Sequence, residues 1–309
     1  MKKSTYHFPS ATGVCEIESN FYCPEDEDFD TILVLHHGMA EHSGRYQDFI
    51  ETLCTNRFAV YMHDMANHGK SNQNYEETGW FGEKDGWKGL ISDFRHNVQK
   101  AVTENPKKKI VIMGHSMGSF ICRVYTAWYP QDGFSAAIYM GTGGPNPIAG
   151  LGQAVSAMVS KVNGSKHKSK LLDSLIFGNY NKKEAKRSNF DWLTRDTKVV
   201  DQYLRDPYCG FLFTAQGIHD LILLNREANS AKWFESVPKD LPILLMSGSM
   251  DPVGDYSKGI RVIYEKLLST EHSKVTMKLY PESRHELLNE YTRQEVISDI
   301  INWNDTDAP

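Results

Sequence analysis

Six short apolar runs rich in β-branched residues punctuate the chain: Thr31 to His36, Phe58 to His63, Lys109 to Met113, Phe134 to Met140, Leu241 to Ser247 and Lys274 to Tyr280. Each has the length of a strand. Between them lie amphipathic stretches of helical period, among them Gly86 to Glu104, Met117 to Trp128, Tyr256 to Leu268 and Leu288 to Trp303, which suit crossovers between parallel strands. The alternation predicts an α/β fold, a mostly parallel sheet with helices on both faces. The first thirty residues, with Cys15-Glu16-Ile17-Glu18 and Phe21-Tyr22-Cys23, read as antiparallel strands at one edge. From Gly143 to Asn229 the rhythm stops, and Gly143-Gly144-Pro145-Asn146-Pro147 opens this stretch with an abrupt loop. The expectation is one core, residues 1–142 and 230–309, carrying an inserted helical cap or lid over residues 143–229.

Composition narrows the partners. With 40% hydrophobic residues, the 309-residue chain can bury a large core, and a net charge of -5 lacks the basic bias of a nucleic-acid binder. No window reaches the ~18 consecutive apolar residues that span a bilayer, so membrane contact is expected to be peripheral at most. Lys2 and Lys3 are followed by no apolar stretch long enough for a signal-peptide core, which points to a cytoplasmic protein. One stretch runs against the overall charge: residues 161–198 hold ten Lys or Arg against four Asp or Glu. Such a run is either a solvated helix face or a surface attracted to anionic lipid. The cysteines, Cys15, Cys23, Cys54, Cys122 and Cys209, are odd in number, without a CxxC pair or a His at metal spacing. They read as free thiols, and no metal or other cofactor is expected.

The chemistry concentrates at Gly114-His115-Ser116-Met117-Gly118. This GxSxG lies between a buried-strand pattern and a helical one, the setting of a nucleophile elbow in the α/β-hydrolase fold. A serine needs a base, and in this fold the base follows a late strand. His285, after the run ending at Tyr280, meets that requirement, whereas His272 precedes the strand. The orienting acid should follow the preceding strand; Asp251 fits, with Asp255 as the rival, read as a cap or first-turn residue of the next helix. Oxyanion donors are expected at the amides of Met117 and of Met39, in the turn His37-Gly38-Met39-Ala40.

With these residues assigned, the chain resembles, over nearly its whole length, the monoacylglycerol lipase and lysophospholipase group of α/β-hydrolases of the serine aminopeptidase S33 type. The segment from His37 to Tyr46 is similar to the group's HGxxEHSGRY, Asp64 to Ser71 to its DxxGHGxS turn, and Gly114 to Gly118 to its GHSMG elbow. Asp251-Pro252-Val253 resembles its acid loop, and Arg284 to Glu290 its histidine loop. The chain departs from the pattern at Asn67 and Ala40, where Gly is common; Asn tolerates a left-handed turn. The resemblance implies hydrolysis of carboxylic esters of single-chain lipids by a Ser116 acyl-enzyme, under a lid covering an apolar acyl channel. It also implies that Arg45 or His115 faces the polar end of the substrate, or serves as a structural hydrogen-bond donor. Small-ester, peptide, thioester or carbon–carbon cleavage on the same machinery remains open, as does a non-catalytic binding protein on the same fold.

Overall fold

A computed structural model describes residues 1–306 and 308. Eight strands form one sheet: β1 (Lys2–Pro9), β2 (Glu16–Cys23), β3 (Thr31–His36), β4 (Phe58–His63), β5 (Lys109–His115), β6 (Ala136–Met140), β7 (Ile243–Gly248) and β8 (Val275–Tyr280). Their order is β1-β2-β4-β3-β5-β6-β7-β8. The β1–β2 and β2–β4 pairs are antiparallel and the rest parallel, as the sequence pattern predicts. The helices are α1 (Gln47–Thr55), α2 (Gly86–Glu104), α3 (Met117–Trp128), α4 (Ala149–Asn163), α5 (Lys170–Phe177), α6 (Thr197–Arg205), α7 (Ala215–Ala228), α8 (Ala231–Ser236), α9 (Lys258–Ser269) and α10 (Arg293–Thr306).

Alternating side chains divide the core between the two faces of the sheet. Ile32, Val34, Ile110 and Ile112 pack with α2, α3, α7, α8 and α9. Leu33, Leu35, Val111 and Met113 pack with α1 and α10 on the other face. Each such side chain contributes about 1.5–3 kcal/mol by leaving water, which is why these strands read as continuous apolar runs.

The α1 helix buries Phe49, Ile50, Leu53 and Cys54 along one face. One boundary differs from expectation. The last helix starts at Arg293 rather than Leu288, because Leu287–Asn289 is a separate 3₁₀ turn and the buried Glu290 carboxylate accepts from the amides of Arg195 and Arg284.

The β6–β7 connection divides by packing. In α4 only Ala149 and Ser156 are buried, and in α5 only Leu172. By contrast α7 buries Ile218, Leu221 and Leu224 in the main core beside Phe211 and Phe213. The helical part of residues 143–229 is thus an outer layer, α4 and α5, then α6, which buries Val200 and Tyr203, and finally a core helix, α7. A crossover helix and a cap helix share the same period, so the pattern alone cannot separate them.

From β3 the sheet grows outward to β4 on one side and β5 on the other. The crevice at the carboxyl ends of β3 and β5 is therefore the topological switch point, where such sheets bind ligands.

Candidate active site

Ser116 stands between β5 and α3 with φ 53° and ψ -120°, a strained conformation for a residue with a side chain. Gly114 and Gly118 make that turn possible. A Cβ on Gly114 would stand 2.2 Å from the Gly118 carbonyl oxygen, and one on Gly118 2.4 Å from that of His37. The turn is closed by Ser116 N donating to Met140 O at 2.9 Å and by Ser119 N donating to Ser116 O at 2.9 Å.

His285 lies in the loop after β8 and is 2% exposed. Its Nδ1 is 3.0 Å from both carboxylate oxygens of Asp251, which is fully buried after β7. Asp251 also accepts from Val253 N at 2.9 Å. Asp255 instead stands in solvent beside Lys258, and His272 bonds to Leu267 O and Val237 O, away from this loop.

The turn after β3 is held from several directions. His37 Nε2 accepts from Met65 N at 2.8 Å, and His37 Nδ1 donates to Gly38 O at 2.8 Å. Ala40 sits at φ 50° and Asn67 at φ 54°. Both departures from glycine thus occupy left-handed positions, and Asn67 adds a bond from Nδ2 to Trp80 O at 2.7 Å. Met39 follows β3 and Met117 opens α3, so the two expected oxyanion residues flank Ser116 from neighbouring strand ends.

A buried charge network underlies these loops, and its centre, Glu41, was not singled out by sequence reasoning. Glu41 Oε1 accepts from Gly38 N (2.7 Å), Tyr46 OH (2.9 Å) and His115 Nδ1 (3.0 Å), and Oε2 from Arg45 (2.7 Å). Burial pushes the Glu41 carboxyl up, but His115 and Arg45 prevail and hold it well below the usual carboxylate range. Burial likewise pulls His115 down, yet its bond to Glu41 and that charge raise it above the usual imidazole value. Arg45 makes a bidentate pair with Glu286 at 2.6 Å and lies 4.8 Å from the Tyr203 ring centre. Both terminal nitrogens of Arg45 and both ring nitrogens of His115 are therefore engaged by protein groups. Glu41 and Glu286 do stand inside the motifs around His37 and His285, which was the available signal. Trp192 carried no such signal, yet its ring centre is 5.1 Å from that of His285.

Beside this network is a space of about 10 Å³ lined by Glu41, Arg45, Tyr46, His115, Met140 and Glu286 among others. The larger cleft, about 340 Å³, is lined by Trp128, Tyr129, Glu227 and Trp233. It lies at the far end of α3 from Ser116 and is separate from the catalytic candidates.

The fold also brings together a group that no sequence spacing suggested: His42, Asp206 and Cys209 have ligand-type atoms within 4.8 Å of one another. His42 Nδ1 accepts from Gly44 N at 3.2 Å, which leaves Nε2 protonated and donating to Asp206 at 2.9 Å. That is a hydrogen-bonded latch between two loops, and it leaves the ring no free lone pair for a metal.

A strained serine elbow at the switch point, with a buried imidazole–carboxylate pair in the following loops, defines an α/β-hydrolase. The sequence profile of the family described as serine aminopeptidase, S33 matches residues 27–292, and the chain belongs to that family of hydrolases. It is 27% identical over 301 residues to a monoacylglycerol lipase of Mycolicibacterium smegmatis, covering 97% of this chain and 96% of that one. It is also 27% identical to the monoglyceride lipase of Rattus norvegicus, over 88% of this chain and 81% of that one. Among solved structures, a thermostable carboxyl esterase from Bacillus coagulans in complex with glycerol superimposes with a TM-score of 0.91 at 27% identity, covering 100% of both chains. No helix among the described residues is long and apolar enough to cross a membrane.

Proposed function

We propose that this chain hydrolyses carboxylic esters of single-chain lipids, monoacylglycerols or lysophospholipids, through an acyl-enzyme on Ser116. The observation that carries this reading is the pair of 3.0 Å contacts between His285 Nδ1 and the buried Asp251, with the His285 ring centre 4.7 Å from that of His115, the residue before Ser116. With Nδ1 donating to Asp251, Nε2 is the free base. It takes the Ser116 hydroxyl proton as Oγ bonds to the ester carbon, and the resulting oxyanion accepts from the amides of Met39 and Met117. Collapse breaks the carbon–oxygen bond, and the alcohol leaves with the proton from His285. Water then gives a proton to His285 and attacks the acyl carbon, releasing the acid and restoring the Ser116 hydroxyl. Arg45 and His115 act in this reading as the fixed wall behind the alcohol side.

A lipid substrate is supported by the names of the relatives and by aromatic residues of the β6–β7 connection. Phe177, Tyr180 and Trp192 form a row, ring centres 5.6 and 5.0 Å apart, that ends at His285. Farther out, Ile148 just before α4 and Leu151, Met158 and Val162 on it are 63–75% exposed, with Leu171 and Leu175 on α5 at 67% and 60%. In the reading proposed here, α4 and α5 are the lid, and this apolar face with the basic run of residues 161–198 rests on anionic lipid. A cytoplasmic location completes the reading.

A second reading, a short-chain carboxylesterase, is favoured by the likeness to the carboxyl esterase of Bacillus coagulans, which spans the whole of both chains at 27% identity. An ester panel from acetate to long-chain monoacylglycerol and lysophospholipid, run beside fluorophosphonate labelling, separates the two. The lipid reading expects labelling that disappears in Ser116→Ala and turnover that rises with chain length. Turnover confined to acetate and butyrate selects the second reading, and absence of labelling rejects both.

A further inference from the structure

Arg123 lies on α3, about two turns beyond Ser116. It is fully buried, yet all its hydrogen-bond partners are neutral. Burying a guanidinium without a counter-charge is costly, and burial pulls its pKa down to about 9. An apolar side chain there would favour folding more. What an apolar side chain cannot do is bond two separate segments at once.

Arg123 does that. One terminal nitrogen donates to Thr142 Oγ1 at 3.2 Å and Gly143 O at 3.3 Å, where the chain leaves β6 for α4. The other donates to Ala228 O and, at 3.1 Å, to Asn229 Oδ1, where α7 ends. The acceptors at Ala228 and Asn229 lie at the negative end of the α7 dipole, which suits a cation. The Trp233 ring centre is 4.4 Å from the guanidinium, and its indole N–H donates to the Arg123 carbonyl. Asn229 Nδ2 joins the two segments directly, donating to Gly143 O at 3.2 Å.

The first of these feet runs on beneath the catalytic loops. A Cβ on Gly141 would stand 3.0 Å from His285 Cε1, and one on Gly143 3.2 Å from the Val253 carbonyl oxygen. Val253 is the residue whose amide donates to Asp251. We propose that Arg123 is a positioning residue for the ester hydrolysis proposed above. Its guanidinium ties both feet of the β6–β7 connection to the helix that begins at Ser116, and so fixes the substrate-facing wall relative to the nucleophile.

The test compares Arg123→Met, Arg123→Lys and Asn229→Ala with wild type on p-nitrophenyl acetate and on a long-chain monoacylglycerol, with backbone hydrogen exchange measured alongside. Methionine keeps the packing against Trp233 but bonds neither foot. Lysine keeps the charge but lacks the fork that reaches both. In both Arg123 variants kcat/KM for the long-chain ester falls about ten-fold, mainly through KM, while that for acetate falls less than about three-fold. Exchange quickens at residues 142–148 and 226–230 and is unchanged in β3 and β5. Asn229→Ala shows the same split at smaller size, and it decides the matter if the Arg123 variants do not fold. Equal losses on the two esters, unimpaired long-chain turnover, or unchanged exchange at the feet overturns the proposal. If wild type neither labels with a fluorophosphonate nor cleaves either ester, the proposed function falls and the exchange data alone judge the clamp.

Discussion

A Cβ on Gly38 would lie 2.8 Å from Glu41 Oε1, 3.0 Å from Ser116 Cβ and 3.2 Å from His115 Nδ1. Three parts of the site meet at one hydrogen atom. Gly38→Ala is expected to push the turn after β3 off Ser116, lowering kcat about 100-fold while the melting temperature falls little. Steady-state kinetics on acetate esters with a parallel melt checks it; intact kcat would show that the turn has slack. Asp251→Asn keeps the shape but lets the imidazole adopt the wrong tautomer, and kcat is expected to drop by about 10⁴. Asp255→Asn, on a solvent-facing side chain, leaves it unchanged. At this scale the sequence marks Ser116, His285 and Asp251 through local motifs and their order. It marks Glu41 only as a motif member, because the work Glu41 does is defined by Gly38, Tyr46, Arg45 and His115 converging on it in space.

Among elements, α4 is unusual in turning apolar residues outward. Leu151, Met158 and Val162 recur at spacings of seven and four, a single stripe along the helix. If the stripe rests on lipid, Leu151→Glu with Met158→Glu abolishes co-sedimentation with phosphatidylglycerol vesicles and lowers long-chain turnover several-fold. Because both side chains are already exposed, the melting temperature and acetate turnover stay as in wild type. Unaltered vesicle binding would remove α4 from the membrane reading. The sequence reads residues 143–229 as a helical cap, but not which way an apolar stripe on it faces. The same period on α7 turns inward onto α3, since α7 follows Phe211 and Phe213 into the core.

For the molecule as a whole, buried histidines set the response to acid. His36, His37, His63 and His68 are 0–1% exposed, and burial lowers each below the usual imidazole value, His36 to about 3. Unpartnered Nε2 atoms on His36 and His63 leave a proton there without an acceptor. These rings stay neutral in the fold while the unfolded chain takes up protons below pH ~6.5, so stability falls as pH drops. Two carboxyls oppose this: burial raises Asp93 to about 6 and Asp220 to about 7. They hold protons in the fold that the unfolded chain releases down to pH ~4, so acidification strengthens folding through them. His115, raised rather than lowered, contributes fully below pH ~6.5 and adds no slope there. The lowered imidazoles, His272 among them, outnumber the raised carboxyls, so acidification from roughly pH 6 to 4.5 lowers stability overall. Urea unfolding at pH 7, 6 and 5 checks this, and a midpoint that holds or rises at pH 5 contradicts it.

The sequence by itself determined the alternation of strands and helices, the sheet's mostly parallel character and the serine elbow. Those features are written in short-range periodicity and in residues a few positions apart. It also set His285 and Asp251 in their loops, because chain order after β7 and β8 is fixed by the topology. Only the tertiary structure decided that α7 belongs to the core, that Arg45 and His115 face protein charges, and that Arg123 bonds both feet of the β6–β7 connection. Each of those depends on groups about 20 to 240 residues apart meeting across a packed interior. No local pattern encodes which buried acceptor a long side chain will reach.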